Sequence, residues 1–461
     1  MPKKLNRQTV STERRPIRVL QFGEGNFLRA FCDWMIDILN EKTDFNGNVK
    51  IVQPIAQGMG AMINSQEGLY HVVLNGKRSN ETRLITCVDS VMNPYEDYNR
   101  FLALAEYPDL EFVVSNTTEA GIAFNENDRS PDTLPDSFPG KVTALLYRRF
   151  KTGGGSLVFL PCELIEKNGT SLKAVVERYI DYWKLPSEFK TWLNANVLFC
   201  NTLVDRIVPG FPKELIHEIH QRTGFEDNLA VMAEPFHLWV IEAPERVRRA
   251  LPLEQAGLQV KFVTDLTPYR TRKVRILNGA HTALVPVAYL KGLRTVRESV
   301  DDKEVGTYLM KAIHEEIIPT LDLPKEELTR FADEVMERFQ NPYIKHELAS
   351  IALNSISKFK VRVLPSVLAY IALKNELPKR LLYSLAALIR FYKGEWKGDT
   401  LPVNDTPEIV AFFAKAWATN DPVHVARVVL GNVEFWGTDL NSVEGLNKYV
   451  TESLKQIDLS V

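Results

Sequence analysis

Apolar and polar positions alternate differently in the two parts of the chain. Before about residue 264, short apolar runs recur between glycine, proline, asparagine and aspartate: Ile17–Phe22, Val49–Ile55, Asp109–Val114, Leu157–Pro161 and Val197–Cys200. Runs of that length between turn formers predict buried strands. The stretches Ala30–Leu39 and Leu172–Trp183 carry helical spacing instead, so strand and helix alternate as in a parallel sheet. Leu69–Leu74 and Thr82–Val88, with Asn75-Gly76 between them, predict a two-stranded excursion from that sheet. From Leu266 onward the pattern turns almost wholly helical, over 305–318, 325–339, 342–357, 365–374, 378–392, 406–419 and 423–430.

The first strand runs into Phe22-Gly23-Glu24-Gly25-Asn26-Phe27 and then a helix. Two glycines at such a junction let the backbone turn sharply and approach a pyrophosphate, whose charge the helix N-terminal amides then meet. Leu28 stands where a third glycine is usual, so the fingerprint is incomplete, and a plain tight turn fits the same residues. Ser115-Asn116-Thr117 follows a later strand, where an open parallel sheet presents its ligand crevice; a hydrogen-bonded turn is the alternative. The second strand ends in Gln53-Pro54, without the usual ribose-binding acid and without an arginine for a 2'-phosphate, which tips the cofactor towards NAD. The expected fold is an α/β N-terminal Rossmann-type domain with an extended mixed sheet, residues 1–264, followed by a mostly α-helical C-terminal substrate and catalytic domain, residues 265–461.

Composition narrows the partners. With 56 basic and 58 acidic side chains the formal net charge is -2, which advertises neither a nucleic acid nor an anionic membrane. No apolar stretch approaches the roughly 20 residues that span a bilayer, and the basic start is not followed by a secretory core. The four cysteines are far apart, as in a reduced cytoplasmic protein, and His217 with His220 lack zinc-protease spacing, so no metal is expected.

Candidate chemistry concentrates in Lys273-Val-Arg-Ile-Leu-Asn278-Gly-Ala-His281. Asn278 and His281 are three residues apart and project from one helical face. Lys273, five residues before Asn278, falls too far round an ideal helix to share it, which places Lys273 at the helix entrance. An amine that exchanges a proton, beside a carboxamide donor, suits a carbonyl becoming an alcohol. A solvated lysine, a capping asparagine and a core histidine would give the same string. Asp205-Arg206, near a strand end, reads equally as an internal salt bridge.

Three ordered motifs, Gly23-x-Gly25-x-Phe27-x-Arg29, Val204-Asp-Arg206-Ile-x-Pro209 and Lys273-x4-Asn278-x2-His281, together with Gln66-Glu-Gly-Leu-Tyr70, Glu234-Pro-Phe-x-x-Trp239 and Lys358-x3-Arg362, resemble the polyol-specific long-chain dehydrogenases, the mannitol dehydrogenase family. The resemblance covers nearly the whole chain. It implies that Lys273 is the general acid/base, that Asn278 polarises the carbonyl oxygen and that His281 binds and orients the substrate. It further implies NAD as cofactor, with no metal; an amine that exchanges protons near neutral pH should have its pKa lowered by desolvation or by a neighbouring cation, Arg272 and Arg275 being near in sequence. Pro161-Cys-Glu163-Leu164, where other members carry Cys-Asp-Asn, points within the family to a small-molecule hexuronate: tagaturonate reduced reversibly to altronate in hexuronate breakdown. The same departure leaves Asn168 as candidate for a second carboxamide. Asp205 and Arg206 would shape the crevice. Lys358 and Arg362, four apart, would hold the substrate carboxylate unless they are simply solvated. Fructuronate or mannitol are the alternatives within the family, and a non-catalytic nucleotide sensor the alternative outside it. A monomer or weak homo-oligomer is expected.

Overall fold

Ile17–Phe22 (β1) is an apolar run that becomes the centre of a sheet. In the computed structural model, which describes residues 2–77, 79–117 and 120–459, the chain continues from β1 through a helical run over 26–42 (α1) to Asn48–Val52 (β2). It then leaves the sheet for a hairpin, Tyr70–Asn75 (β3) and Asn80–Ile85 (β4), and returns as Val88–Met92 (β5). Phe112–Ser115 (β6), Leu157–Pro161 (β7) and Val197–Phe199 (β8) follow, with the helices Phe138–Lys151 (α2) and Asn168–Tyr182 (α3) between them. The six strands pair in the order β5-β2-β1-β6-β7-β8, and every pairing is parallel. That order reverses direction between β1 and β6, so a crevice opens outside their carboxyl ends.

Side chains on these strands go alternately to two cores, as a sheet covered on both faces requires. Val19, Phe112 and Val114 join Phe31, Trp34 and Met35 of α1, whereas Leu20, Phe22 and Val113 join Val142 and Leu145 of α2 and Val176 of α3. The mixed pairing lies in two small sheets beside the parallel one. Asn201–Asp205 (β9) runs antiparallel to Leu238–Glu242 (β11), which is parallel to Val260–Val263 (β12); Val231–Ala233 (β10) is parallel to β3 of the hairpin.

The chain separates into two compact units, Met1–Leu266 and Thr267–Val461. The second is built around a helical run over 267–290 (α4), whose later part, Gly279–Leu290, is buried almost all round. It packs against Ser355–Arg362 (α6) and Lys379–Phe391 (α8); α8 in turn carries the C-terminal helix Leu446–Leu459 (α9). Lys325–Phe339 (α5) and Leu364–Lys374 (α7) complete the surroundings used below. The expected helix over 342–357 is not continuous. A short turn of helix, Leu348–Ile351, stops before Asn354, whose φ of 53° lies in the left-handed region, and α6 begins afresh at Ser355. Among the described residues no helix is long and apolar enough to cross a membrane.

Candidate active site

Where β1 meets α1, each glycine has a different reason. Gly23 sits at φ 120°, and a Cβ there would lie 3.1 Å from the carbonyl oxygen of Asn116 and 3.4 Å from Leu28 Cδ1, so conformation and space both demand glycine. Gly25 has ordinary backbone angles, and a Cβ on it would meet nothing within 4 Å. The chain's own packing therefore does not require that glycine; an approaching ligand would. Gly25 also stands at the N-cap of α1 without a side-chain cap, which leaves the first amides of the helix for an anion. Asn26 accepts a hydrogen bond from Arg29 Nη2 (2.7 Å), and Phe27 stacks on Phe31 at 5.0 Å. Arg29 is buried and fastens the turn from below, its Nε donating to the Glu24 carbonyl (3.1 Å) and its Nη1 to that of Leu229 (2.6 Å). Phe22 closes β1 within the core, edge-on to Phe138 at 5.1 Å. These residues fit a dinucleotide pyrophosphate on the N-terminus of α1.

The loop after β6 is organised by a residue that strand and turn patterns do not single out. Glu163, buried behind β7, accepts from the hydroxyl of Ser115 (3.0 Å) and from both the amide and the hydroxyl of Thr117 (3.0 Å each). Burial pushes its pKa up, and these hydrogen bonds oppose the shift. Ser115 and Thr117 thus turn their hydroxyls inward. The Asn116 amide donates to the Phe22 carbonyl (3.1 Å), which ties this loop to the glycine turn.

Asn168 departs from its expected role. Its Nδ2 donates to the carbonyls of Pro161 (2.8 Å), Glu163 (3.1 Å) and Thr202 (3.1 Å), while its Oδ1 accepts from the amides of Thr202 and Gly169 (2.9 Å each). A carboxamide has two N–H donors, so none is left for a substrate carbonyl. Asn168 staples β7, α3 and β9 together, and the expectation of a second catalytic carboxamide is corrected accordingly. Arg206 is likewise buried: Nε donates to the Glu234 carbonyl (2.9 Å), Nη1 to that of Ala30 (2.7 Å), and the guanidinium lies 4.2 Å over the Trp34 ring. Burial pulls its pKa down to about 9. Asp205, at the end of β9, is buried beside it.

The second unit holds Lys273, Asn278 and His281 on α4, with one feature that the spacing did not foretell. The helix begins at Thr267, so Lys273 lies within it rather than at its entrance, and Lys273–Asn278 is wound as a π-helix. On α-helical geometry five residues place two side chains about 140° apart. A π-helix bonds each residue to the one five along, which brings Lys273 and Asn278 round towards the same side of the helix. The wider turn thus solves the geometric difficulty in the sequence. Glycine at 279 has a packing reason: a Cβ would fall 3.0 Å from the carbonyl oxygen of Arg362, so α6 lies directly against α4 at the middle of the motif.

That contact brings Lys358 and Arg362 to the same neighbourhood. Lys358 donates to the Ile351 carbonyl (2.9 Å); burial, and then the nearby Arg362 charge, lower its pKa. Burial also lowers the pKa of Arg362. Arg272 turns to α5, pairing with Glu327 (2.7 Å), while Arg275 Nη1 donates to Ser366 Oγ (3.3 Å) on α7. His281 is held by two rings absent from the motif: it stacks on Phe339 at 4.1 Å and meets His346 edge-on at 5.0 Å. Reading 342–357 as one helix hid the loop on which His346 approaches.

Sequence profiles place both halves. The profile of the mannitol dehydrogenase Rossmann domain matches residues 17–255, and that of the mannitol dehydrogenase C-terminal domain matches 265–458. The chain belongs to the mannitol dehydrogenase family. As a member of that family it is an oxidoreductase, and its curated relatives include altronate oxidoreductases at 44 to 47% identity. That of Phocaeicola vulgatus is 47% identical over 99% of this chain and 97% of the relative; that of Bacillus subtilis is 46% identical over 96% and 93%. Among solved structures, substrate-free D-sorbitol dehydrogenase superposes with a TM-score of 0.85 at 24% identity, covering 100% of this chain and 99% of that one, which shows that the two share a fold.

Proposed function

We propose that the protein is an NAD-dependent oxidoreductase that interconverts tagaturonate and altronate. The observation that carries this reading is its likeness to the altronate oxidoreductases along almost the whole length of both chains. The residues of the second unit supply a consistent chemistry. Bound on the glycine turn, the nicotinamide cofactor would supply or accept a hydride at the substrate carbon. Asn278 donates a hydrogen bond to the ketone oxygen, drawing electron density from the carbonyl carbon. As the carbon–oxygen π pair moves onto oxygen, the Lys273 ammonium gives up a proton from Nζ, yielding the alcohol and a neutral amine that regains its proton from solvent. Oxidation reverses each step, with Lys273 as the base. His281, fixed between Phe339 and His346, orients the sugar hydroxyls.

A hexuronate differs from a neutral ketose by one carboxylate, which calls for a cationic partner. Lys358 retains N–H donors beyond the one given to Ile351, and Arg362 adds a planar fork; both sit on the helix packed against the motif. The test is a substrate panel. The purified protein should oxidise NADH rapidly with tagaturonate, and far more slowly with fructuronate and with fructose. Faster turnover of either competitor would reassign the substrate within the family, and no turnover of any would remove the catalytic reading.

A further inference from the structure

A Rossmann-type sheet usually holds the cofactor ribose with a carboxylate at the end of the second strand. Here β2 ends at Val52 and is followed by Gln53 and Pro54. Gln53 is buried and occupied with the loop itself: Nε2 donates to the carbonyls of Ile55 (2.9 Å) and Ala56 (3.0 Å), and Oε1 accepts from the Gly60 amide (3.1 Å). It shapes the backbone of this loop and offers no negative charge.

A carboxylate does reach the loop, from the neighbouring turn. Glu24 lies between Gly23 and Gly25, and its Oε1 accepts from the Met59 amide (3.3 Å). A Cβ on Gly58 would fall 2.1 Å from that same oxygen and 2.6 Å from Gln53 Cδ, so the loop is cut away where the Glu24 carboxylate and the Gln53 carboxamide stand. The Glu24 backbone is fixed as well, because Arg29 Nε holds its carbonyl. Since β1 and β2 are adjacent and parallel, the acid lies outside the carboxyl ends of both. A dinucleotide with its pyrophosphate on the N-terminus of α1 would place its adenosine ribose there.

We propose that Glu24 is the ribose-binding carboxylate that β2 lacks, so that the choice of NADH over NADPH is made on the glycine turn itself. This rests on the dinucleotide reading above. A carboxylate accepts hydrogen bonds from the ribose hydroxyls and repels a 2'-phosphate. The full chain would be titrated with NADH and with NADPH by fluorescence, alongside Glu24→Gln and Glu24→Asp, with thermal melts to confirm folding. The wild type should prefer NADH. Glu24→Gln should weaken NADH about tenfold, the worth of one charge-assisted hydrogen bond, and bring the two affinities together, whereas Glu24→Asp keeps the preference. If Glu24 only ties the loop, the glutamine, which can still accept from Met59, keeps the wild-type preference and the shorter aspartate loses it; that pattern overturns the proposal, as does a wild type without preference. Should Glu24→Gln fail to fold, Glu24→Asn, which differs from Glu24→Asp only in charge, should show the same loss of preference. A wild type that binds neither nucleotide would instead sink the dinucleotide reading.

Discussion

On the proposed mechanism, Lys273 and Arg362 are the side chains whose replacement should separate the chemistry from binding most cleanly. By that mechanism Lys273→Ala removes the proton donor, so turnover should fall by about 10²- to 10⁴-fold while the affinity for NADH stays near that of the wild type. Near-normal steady-state turnover would end its role as acid and base. Arg362→Ala should raise KM for tagaturonate much more than for fructose, because only the former carries a carboxylate. Equal losses on both would mean that Arg362 supports the fold of α6 and no more. At this scale the sequence singles out one motif that gathers an amine, a carboxamide and an imidazole, and is silent where polar residues are used up by distant backbone. Asn168 has the side chain of a catalytic carboxamide, yet five backbone groups, among them those of Pro161 and Thr202, occupy it. Glu163 read as a departure from the family pattern; its purpose, to receive Ser115 and Thr117 across 46 to 48 residues of chain, exists only in three dimensions.

Between elements the informative contact is that of α4 with α6. Gly279 offers no side chain to the interface, and the Arg362 carbonyl sits where a Cβ would press on it. Gly279→Ala would gain about 1 kcal/mol of helix propensity, but must push α6 outward, and overpacking of a tight contact typically costs about 1–3 kcal/mol. The net expectation is a modestly lower Tm together with a raised KM for the uronate, since Lys358 and Arg362 move with α6. An unchanged KM alongside a lowered Tm would show that the basic pair does not bear on the substrate. The strands of the parallel sheet were readable because each is a short apolar run between turn formers. The π-turn over Lys273–Asn278 was not, because a reading based on a period of 3.6 cannot register a locally wider one. The break at Asn354 was missed for a related reason, as flanking apolar residues keep helical spacing across a residue in left-handed conformation.

For the whole molecule, stability against pH is set in part by buried groups that hold one protonation state. Asp33 on α1 is fully buried and accepts from the Tyr70 hydroxyl (2.8 Å) and from Gln21 (3.4 Å); burial raises its pKa from 3.8 to about 7. Below the unfolded value both states carry the proton and its contribution is intact. Between pH 3.8 and about 7 the unfolded chain releases the proton while the fold retains it, so stability falls by about 1.4 kcal/mol per pH unit until the folded group also ionises. His237 works in the opposite sense. Its Nδ1 faces the Pro235 carbonyl (3.1 Å) and its Nε2 accepts from the Gln259 amide (3.0 Å), a pairing that needs the neutral ring, and burial together with the Arg206 charge lowers its pKa to about 4. Its contribution is present above pH 6.5 and drains away as pH falls towards 4. The two slopes oppose each other over much of the same window, so the wild-type profile alone hides both. Asparagine at position 33 keeps the shape and cannot ionise. The Tm of Asp33→Asn minus that of the wild type should therefore widen steadily from pH 4 to 7 and level off above, as calorimetry at half-unit intervals would show. A difference that stays flat across that range would mean that Asp33 ionises inside the fold as readily as outside it, and that its burial does not govern the proton.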